Sequence, residues 1–214
     1  MKIKVSEIFY SIQGEGSQIG IPTVFVRLFG CNLRCQWCDT MYAVEGHDYS
    51  ELSFSELIRK SLSYNCKNIC ITGGEPLTQE KAVTKITEYL IQEKKNIILE
   101  TAGHLEPPKI FDNKNTVVSM DCKCPSSGMN HKSNISILRA LKKKDQIKFV
   151  IANEDDYKFA IQTIRRSNFK AQIIFQPEAK SSLLKLTEKI LNDKLNVRVL
   201  PQLHKDLWGN EKGR

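Results

Sequence analysis

Three cysteines, Cys31, Cys35 and Cys38, fall within the eight residues Cys-Asn-Leu-Arg-Cys-Gln-Trp-Cys. Thiolates are soft ligands, and three in one short loop suit an iron–sulfur cluster or zinc. A closed site needs a fourth ligand. If it comes from elsewhere in the chain, the site is structural; if a substrate supplies it, the site is catalytic. Other polar groups recur where chemistry could use them. Gln13 and Glu15 lie in a glycine-rich turn, Glu75 follows Gly73 and Gly74, Glu100 precedes Thr-Ala-Gly, and Asp121 is followed by Cys122 and Lys123. Arg27 interrupts the apolar run 23–29, where an arginine either marks an edge or points into a polar cavity. Gln176 and His204 each come after a further apolar run.

The elements that must position these residues alternate strand with helix. Apolar runs at 4–10, 23–29, 68–72, 96–99, 116–120, 146–152, 171–175 and 196–200 predict strands. Helices are predicted from the capping box Ser53–Glu56, from Thr78, from Asn134 to about residue 143, from Asn153 with Asp156, and from Ser181 or Ser182. Alternating apolar strands and helices imply a parallel sheet covered by helices. The 214 residues fall short of the ~250 of a full eight-unit barrel. The expected fold is therefore α/β, a reduced, partial (β/α) barrel of about six parallel strands, forming a single domain over residues 1–214. The polar stretches follow the strands, and such sheets carry their active sites at the carboxyl ends.

Composition narrows the partners. Hydrophobic residues at 41% and charged residues at 26% are the balance of a soluble globular protein. The net charge of +8 is scattered. Its densest run, Lys142 to Lys144, reads as a solvated helix end, where cations suit the macrodipole. No basic stripe is interleaved with aromatics, so no nucleic-acid partner is expected. No apolar run approaches the ~20 residues of a membrane span. Seven cysteines, an odd count, with no signal peptide imply reduced thiols and a cytoplasmic location. Cys66, Cys70, Cys122 and Cys124 do not continue the cluster spacing and are expected not to be ligands.

The C-x3-C-x2-C spacing with Trp37 before its last cysteine, together with Gly73-Gly74-Glu75-Pro76 after the next strand, resembles the radical S-adenosylmethionine superfamily. Further motifs are similar to the 7-carboxy-7-deazaguanine synthase family within it. They are Ile12-Gln13-Gly14-Glu15-Gly16, Cys38-Asp39-Thr40, Glu100-Thr101-Ala102-Gly103, and Leu200-Pro201-Gln202-Leu203-His204-Lys205 with Trp208. The likeness runs from residue 7 to the tail. It implies a [4Fe–4S] cluster on the three cysteines, with S-adenosylmethionine on the open iron, and Mg2+ held by Thr40. The implied reaction is a lyase conversion of 6-carboxy-5,6,7,8-tetrahydropterin to 7-carboxy-7-deazaguanine. Hydrogen is taken from carbon 6, the ring contracts and ammonia is lost; the product feeds 7-deazapurines such as queuosine.

The resemblance also implies roles by position. Trp37, Cys38, Asp39, Gly73, Gly74, Glu75, the Asp121-Cys122-Lys123 turn and Gln176 would contact the cofactor. The family commonly has Ser-Pro-Lys where this chain has Asp121, Cys122 and Lys123. Ile12, Gln13, Gly14, Glu15, Arg27, Thr72, Glu100 and His204 would contact the substrate. A reductant such as flavodoxin or ferredoxin and a homodimer are likewise implied. Elementary chemistry agrees at several points. Magnesium prefers hard oxygen, carboxylates pair with the guanidine-like edge of a pterin, and arginine clamps a carboxylate. Blander roles stay open: a turn cap for Thr40, a structural salt bridge for Arg27, surface carboxylates for Glu15 and Glu100, core for Trp37. Two other activities are weighed. A glycyl-radical activating enzyme shares the cysteine spacing, and a zinc-bearing RNA-binding module would take His47 as fourth ligand.

Overall fold

The β-branched runs assemble into one nine-stranded sheet, in a computed structural model that describes residues 1–214. The strands are β1 Lys2–Ile12, β2 Pro22–Leu28, β3 Ser50–Ser53, β4 Asn68–Gly73, β5 Asn96–Thr101, β6 Thr116–Asp121, β7 Gln146–Ile151, β8 Gln172–Pro177 and β9 Arg198–Val199. Their order is β3-β1-β2-β4-β5-β6-β7-β8-β9. Every pair from β2 to β9 is parallel. β1 is antiparallel to both its neighbours, and for β2 the short connecting loop requires it. This is the expected partial barrel, with β9 reduced to two residues.

Strand side chains alternate between two faces, and the faces differ in kind. Ile69, Ile71, Ile97, Leu99, Val118, Met120, Ile147 and Phe149 all belong to one core cluster of 32 buried residues. Helices α1 Phe54–Leu62, α2 Glu80–Gln92, α3 Ile135–Ala140, α4 Glu154–Arg165 and α5 Leu183–Asn192 surround the sheet, and each contributes side chains to that cluster, among them Leu57, Val83, Leu138, Tyr157 and Leu186. The opposite, inner face has an apolar floor of only four residues, Phe9, Phe25, Cys70 and Ile98. Phe9 and Phe25 stack there at 4.9 Å. Beyond that floor the inner parity carries Arg27, Thr72, Glu100, Asp121 and Lys148, all lining one cleft. A polar inner face lowers stability, so its retention points to a site.

Local chemistry explains the boundaries. The Ser53–Glu56 capping box forms as the sequence predicts, and Asn134, Asn153 and Ser182 cap α3, α4 and α5; each such cap is worth about 1 kcal/mol. Thr78 does not cap α2. Pro76 starts a 3-10 turn capped by Glu75, Thr78 Oγ1 donates to the Glu75 carbonyl, and α2 begins only at Glu80. The helix expected to run to about residue 143 ends at Ala140, because Asp145 Oδ2 accepts from Lys142 N and holds the next residues in a turn. Lys142 to Lys144 are thus not a helix end. Lys144 Nζ instead donates to the Phe111 and Thr116 carbonyls at 2.7 and 2.6 Å. β3 and the tail helix α6, Leu203–Trp208, were not expected.

Candidate active site

A cleft of ≈ 1450 Å³, counting its open mouth, lies at the carboxyl ends of the parallel strands. Its position follows from the hairpin between β1 and β2. Residues 13–20 fold into the barrel lumen instead of away from it. Gln13 Nε2 reaches Glu100 Oε1 at 3.3 Å, Ser17 N donates to Gln146 Oε1 at 2.7 Å, and Glu15 Oε2 meets Lys148 Nζ at 2.5 Å. α6 then lies on this loop. Leu203 N donates to Gly14 O at 2.9 Å, and Gln202 Nε2 to Glu15 Oε1 at 2.8 Å. His204 packs so closely that a Cβ on Gly14 would stand 2.2 Å from its Nδ1.

The two carboxylates proposed from sequence have different surroundings. Burial raises the Glu15 pKa, but Lys148 and His204 overturn this and hold it well below the usual carboxylate range. Glu100 is raised, because burial outweighs the pull of Lys148. Its partners are neutral and long, Gln13 at 3.3 Å and Thr72 Oγ1 at 3.4 Å. Glu100 therefore keeps accepting capacity for a ligand. Arg27 makes the salt bridge weighed for it and also faces the cleft. Its Nε pairs with Glu7 Oε1 at 2.7 Å, and Tyr42 donates to the same oxygen at 2.7 Å. Its terminal nitrogens make no hydrogen bond within the protein, and the side chain lines the cleft.

On the other flank lies the cysteine loop. Cys35, Trp37, Cys38, Asp39 and Thr40 line the cleft, as does Ile12. Trp37 Nε1 donates to Ser126 Oγ at 3.0 Å, and Gln36 N to Ser127 O at 3.0 Å, so the 125–128 turn props the loop. Ser126 is in turn fixed by the fully buried Asp156 of α4, at 2.6 and 2.8 Å. The Thr40 hydroxyl makes no cap bond and lies 3.8 Å from Cys38 Sγ. Asp39 pairs with Lys205 of α6 at 2.9 Å.

Gly73 and Gly74 line the cleft and admit no side chain. At Gly73, with φ +151°, a Cβ would stand 2.1 Å from Leu28 O; at Gly74 it would stand 2.6 Å from Gly30 O. The turn is thus pressed against the backbone that leads into Cys31.

Several expected cofactor contacts are not brought to the cleft. Glu75 is 1% exposed, and its carboxylate is committed to Leu77 N, Ala102 N and Thr101 Oγ1 at 2.7–3.0 Å. It ties the β4 and β5 loops together from behind and is not free to take a ligand's ammonium. Cys122 belongs to the outer core cluster, and burial pushes its thiol up to about 12. Parity accounts for Cys122, which follows the inward Asp121 and so points outward, whereas Glu75 is turned away by capping the 3-10 turn that starts at Pro76. Lys123 is buried, 2.7 Å from Asp121 Oδ2 and 5.6 Å over the Trp37 ring. Gln176 is fully buried, and neither end of its amide has a partner.

The residues fit the group that three thiolates imply. Cys31, Cys35 and Cys38 are unpaired and half-buried, and Leu33 N already points at Cys31 Sγ from 3.3 Å. Asp121 Oδ1 lines the cleft and is met only by Lys148 Nζ at 3.4 Å, leaving polar capacity that a cofactor would satisfy. His47 is exposed and does not line the cleft, so the structure does not bring it in as a fourth ligand.

A thiolate triad at the carboxyl ends of a partial parallel barrel defines a radical S-adenosylmethionine protein. The Radical SAM superfamily model matches residues 26–175. At 36% identity the chain is similar to the 7-carboxy-7-deazaguanine synthase of Thermoplasma acidophilum, covering 98% of this chain and 99% of that one. At 39% it is similar to that of Methanospirillum hungatei, covering 95% and 84%. The crystal structure of QueE from Escherichia coli shares the fold, with a TM-score of 0.77, 22% identity and 95% coverage of each chain. The chain belongs to the 7-carboxy-7-deazaguanine synthase family of the radical S-adenosylmethionine superfamily.

Proposed function

We propose that this enzyme converts 6-carboxy-5,6,7,8-tetrahydropterin to 7-carboxy-7-deazaguanine, the whole chain acting as one domain. The observation that carries this is a single cleft with cysteines on one flank and, on the other, a polar pocket that carries charges of both signs. Cys31, Cys35 and Cys38 would hold a [4Fe–4S] cluster. Gly73, Gly74, Trp37, Asp39 and Asp121 would surround S-adenosylmethionine, with Lys123 holding Asp121 and Trp37 in place. When bound, the pair supplies one-electron hydrogen abstraction.

The chain's own residues then bind and orient. The free edge of Arg27, braced by Glu7 and Tyr42, suits the substrate carboxylate. Glu100, whose present partners are long, and Glu15, facing the same space, suit the donor edge of the pterin. Gln13 has both donor and acceptor for the ring amide, with Thr72, Ile12, Gly14 and His204 closing the pocket. The uncapped Thr40 hydroxyl is the oxygen offered to Mg2+. A flavodoxin- or ferredoxin-like reductant and a homodimer belong to the same proposal. No helix is long and apolar enough to cross a membrane.

The test is anaerobic turnover. Reconstituted protein with S-adenosylmethionine, Mg2+, dithionite and the carboxytetrahydropterin is expected to release 7-carboxy-7-deazaguanine and ammonia. Cleavage of S-adenosylmethionine without that product would overturn the substrate assignment and leave the superfamily chemistry standing.

A further inference from the structure

Lys148 is a buried cation to which the reading above gives no task. It stands on the inner face of β7, 4% exposed, with Nζ 2.5 Å from Glu15 Oε2 and 3.4 Å from Asp121 Oδ1. A buried ammonium persists only when paired, and here the pair joins a strand to the loop inside the lumen. Without it, Glu15 would be anchored by the single Gln202 contact. Asp121 is less dependent, because Lys123 holds its other oxygen at 2.7 Å.

We propose that Lys148 is a positioning residue for the substrate, fixing the Glu15 carboxylate in one orientation as a hydrogen-bond acceptor for the pterin. The proposal rests on Glu15 being a substrate contact. Four charged or titratable groups surround that carboxylate: Lys148 from β7, His204 from α6, Glu100 from β5 and Asp121 from β6. Burial opposes ionisation of Glu15, and Lys148 is the first of the groups that reverse it. A carboxylate deprived of Lys148 would take up a proton as pH falls and lose half its accepting capacity. Arginine at 148 would keep the charge.

Binding of the fluorescent 6-carboxypterin to the anaerobic, cluster-loaded full chain tests this between about pH 5.5 and 8.5. The proteins are wild type, Lys148→Met, Lys148→Arg, Glu15→Gln and the double variant Glu15→Gln/Lys148→Met. Lys148→Met is expected to bind at least about tenfold more weakly at the alkaline end, as for loss of a charge-assisted contact. Relative to wild type, its affinity should fall further toward acid. Lys148→Arg should restore the wild-type profile. The double variant should bind as Glu15→Gln does, without the acid limb.

Wild-type affinity in Glu15→Gln would remove the substrate role of Glu15, and this proposal with it. Weak binding in Glu15→Gln with a wild-type Lys148→Met profile would overturn the proposal alone. An acid limb that survives in the double variant would also overturn it. If Lys148→Met fails to load its cluster, Lys148→Arg and the double variant, which removes both charges together, carry the decision.

Discussion

Replacing Gly74 with alanine probes whether the Gly-Gly turn and the cysteine loop share a rigid seam. Gly74 has no positive φ, so alanine adds no torsional strain. The added Cβ would lie 2.6 Å from Gly30 O and 2.8 Å from Ala43 O. Even a close carbon–oxygen contact needs about 3.3 Å, so both carbonyls must retreat by roughly half an ångström. Neither is free to do so. Gly30 O accepts from Glu75 N at 2.9 Å, and Ala43 O accepts from Gly30 N at 2.8 Å. Overpacking costs about 1–3 kcal/mol, and weakening two hydrogen bonds adds about 0.5–1.5 kcal/mol each. The expected loss is about 2–6 kcal/mol. Because Gly30 directly precedes Cys31, cluster loading should fall with it. Gly20→Ala is the control. Its φ of +85° carries a torsional cost of about 1–2 kcal/mol, but nothing lies within 4 Å of the new methyl. Urea denaturation of the apo chain and iron per chain after anaerobic reconstitution read both effects. Gly74→Ala with stability within about 0.5 kcal/mol of wild type and full iron would refute the reasoning.

Two further outcomes follow from the same geometry. Glu100 is raised by burial, so the folded state binds a proton more readily than the unfolded state, and its stability contribution diminishes as pH rises through the folded value. Glu100→Gln should therefore stabilise the apo chain at pH 8 and lose that gain near pH 4, as thermal melts across pH would record; a gain that grows toward acid would contradict the sign. Glu7→Gln removes the ion pair that orients Arg27 and should weaken carboxypterin binding by about tenfold with iron content unchanged. Equal affinity, measured by titration, would show that Arg27 needs no brace.

Much of the site was legible because cleft residues fall in short motifs after strands. The alternation of strand and helix gathered the turns after β4 and β5, with Thr72 and Glu100, whereas Gln13 and Glu15, in the hairpin between antiparallel strands, were placed by family likeness. Lys148 was missed although its signal was present. In Gln146-Ile147-Lys148-Phe149 the lysine shares parity with Gln146, opposite to the two apolar residues, which is the pattern already noted at Arg27. Glu7 carries the same signal on β1. Glu75 and Cys122 erred the other way, because a motif names a position without telling which face its side chain takes. α6 had no legible start: Gln202 offers no side-chain cap, and this six-residue helix is held by contact with Gly14 and Glu15, partners far away in sequence. β3 is four residues of mixed polarity, defined by pairing with β1.

The contact between Gln202, at the start of α6, and Glu15 sets an order on how the molecule can come into being. Gln202 and Glu15 are 187 residues apart, and Lys148 is 133 residues from Glu15. Contacts of such separation form late, since loop closure must precede them. During synthesis the outer apolar layer between β2 and α4 is available early, whereas the pocket wall made by α6 is among the last segments to emerge. A growing chain thus presents a helix-covered sheet whose lumen still holds solvated arginine, glutamate and lysine. The pocket is a late-assembled feature on an early-assembled frame, and a chain stopped before residue 200 would keep most of its core while lacking the surface that closes over Glu15.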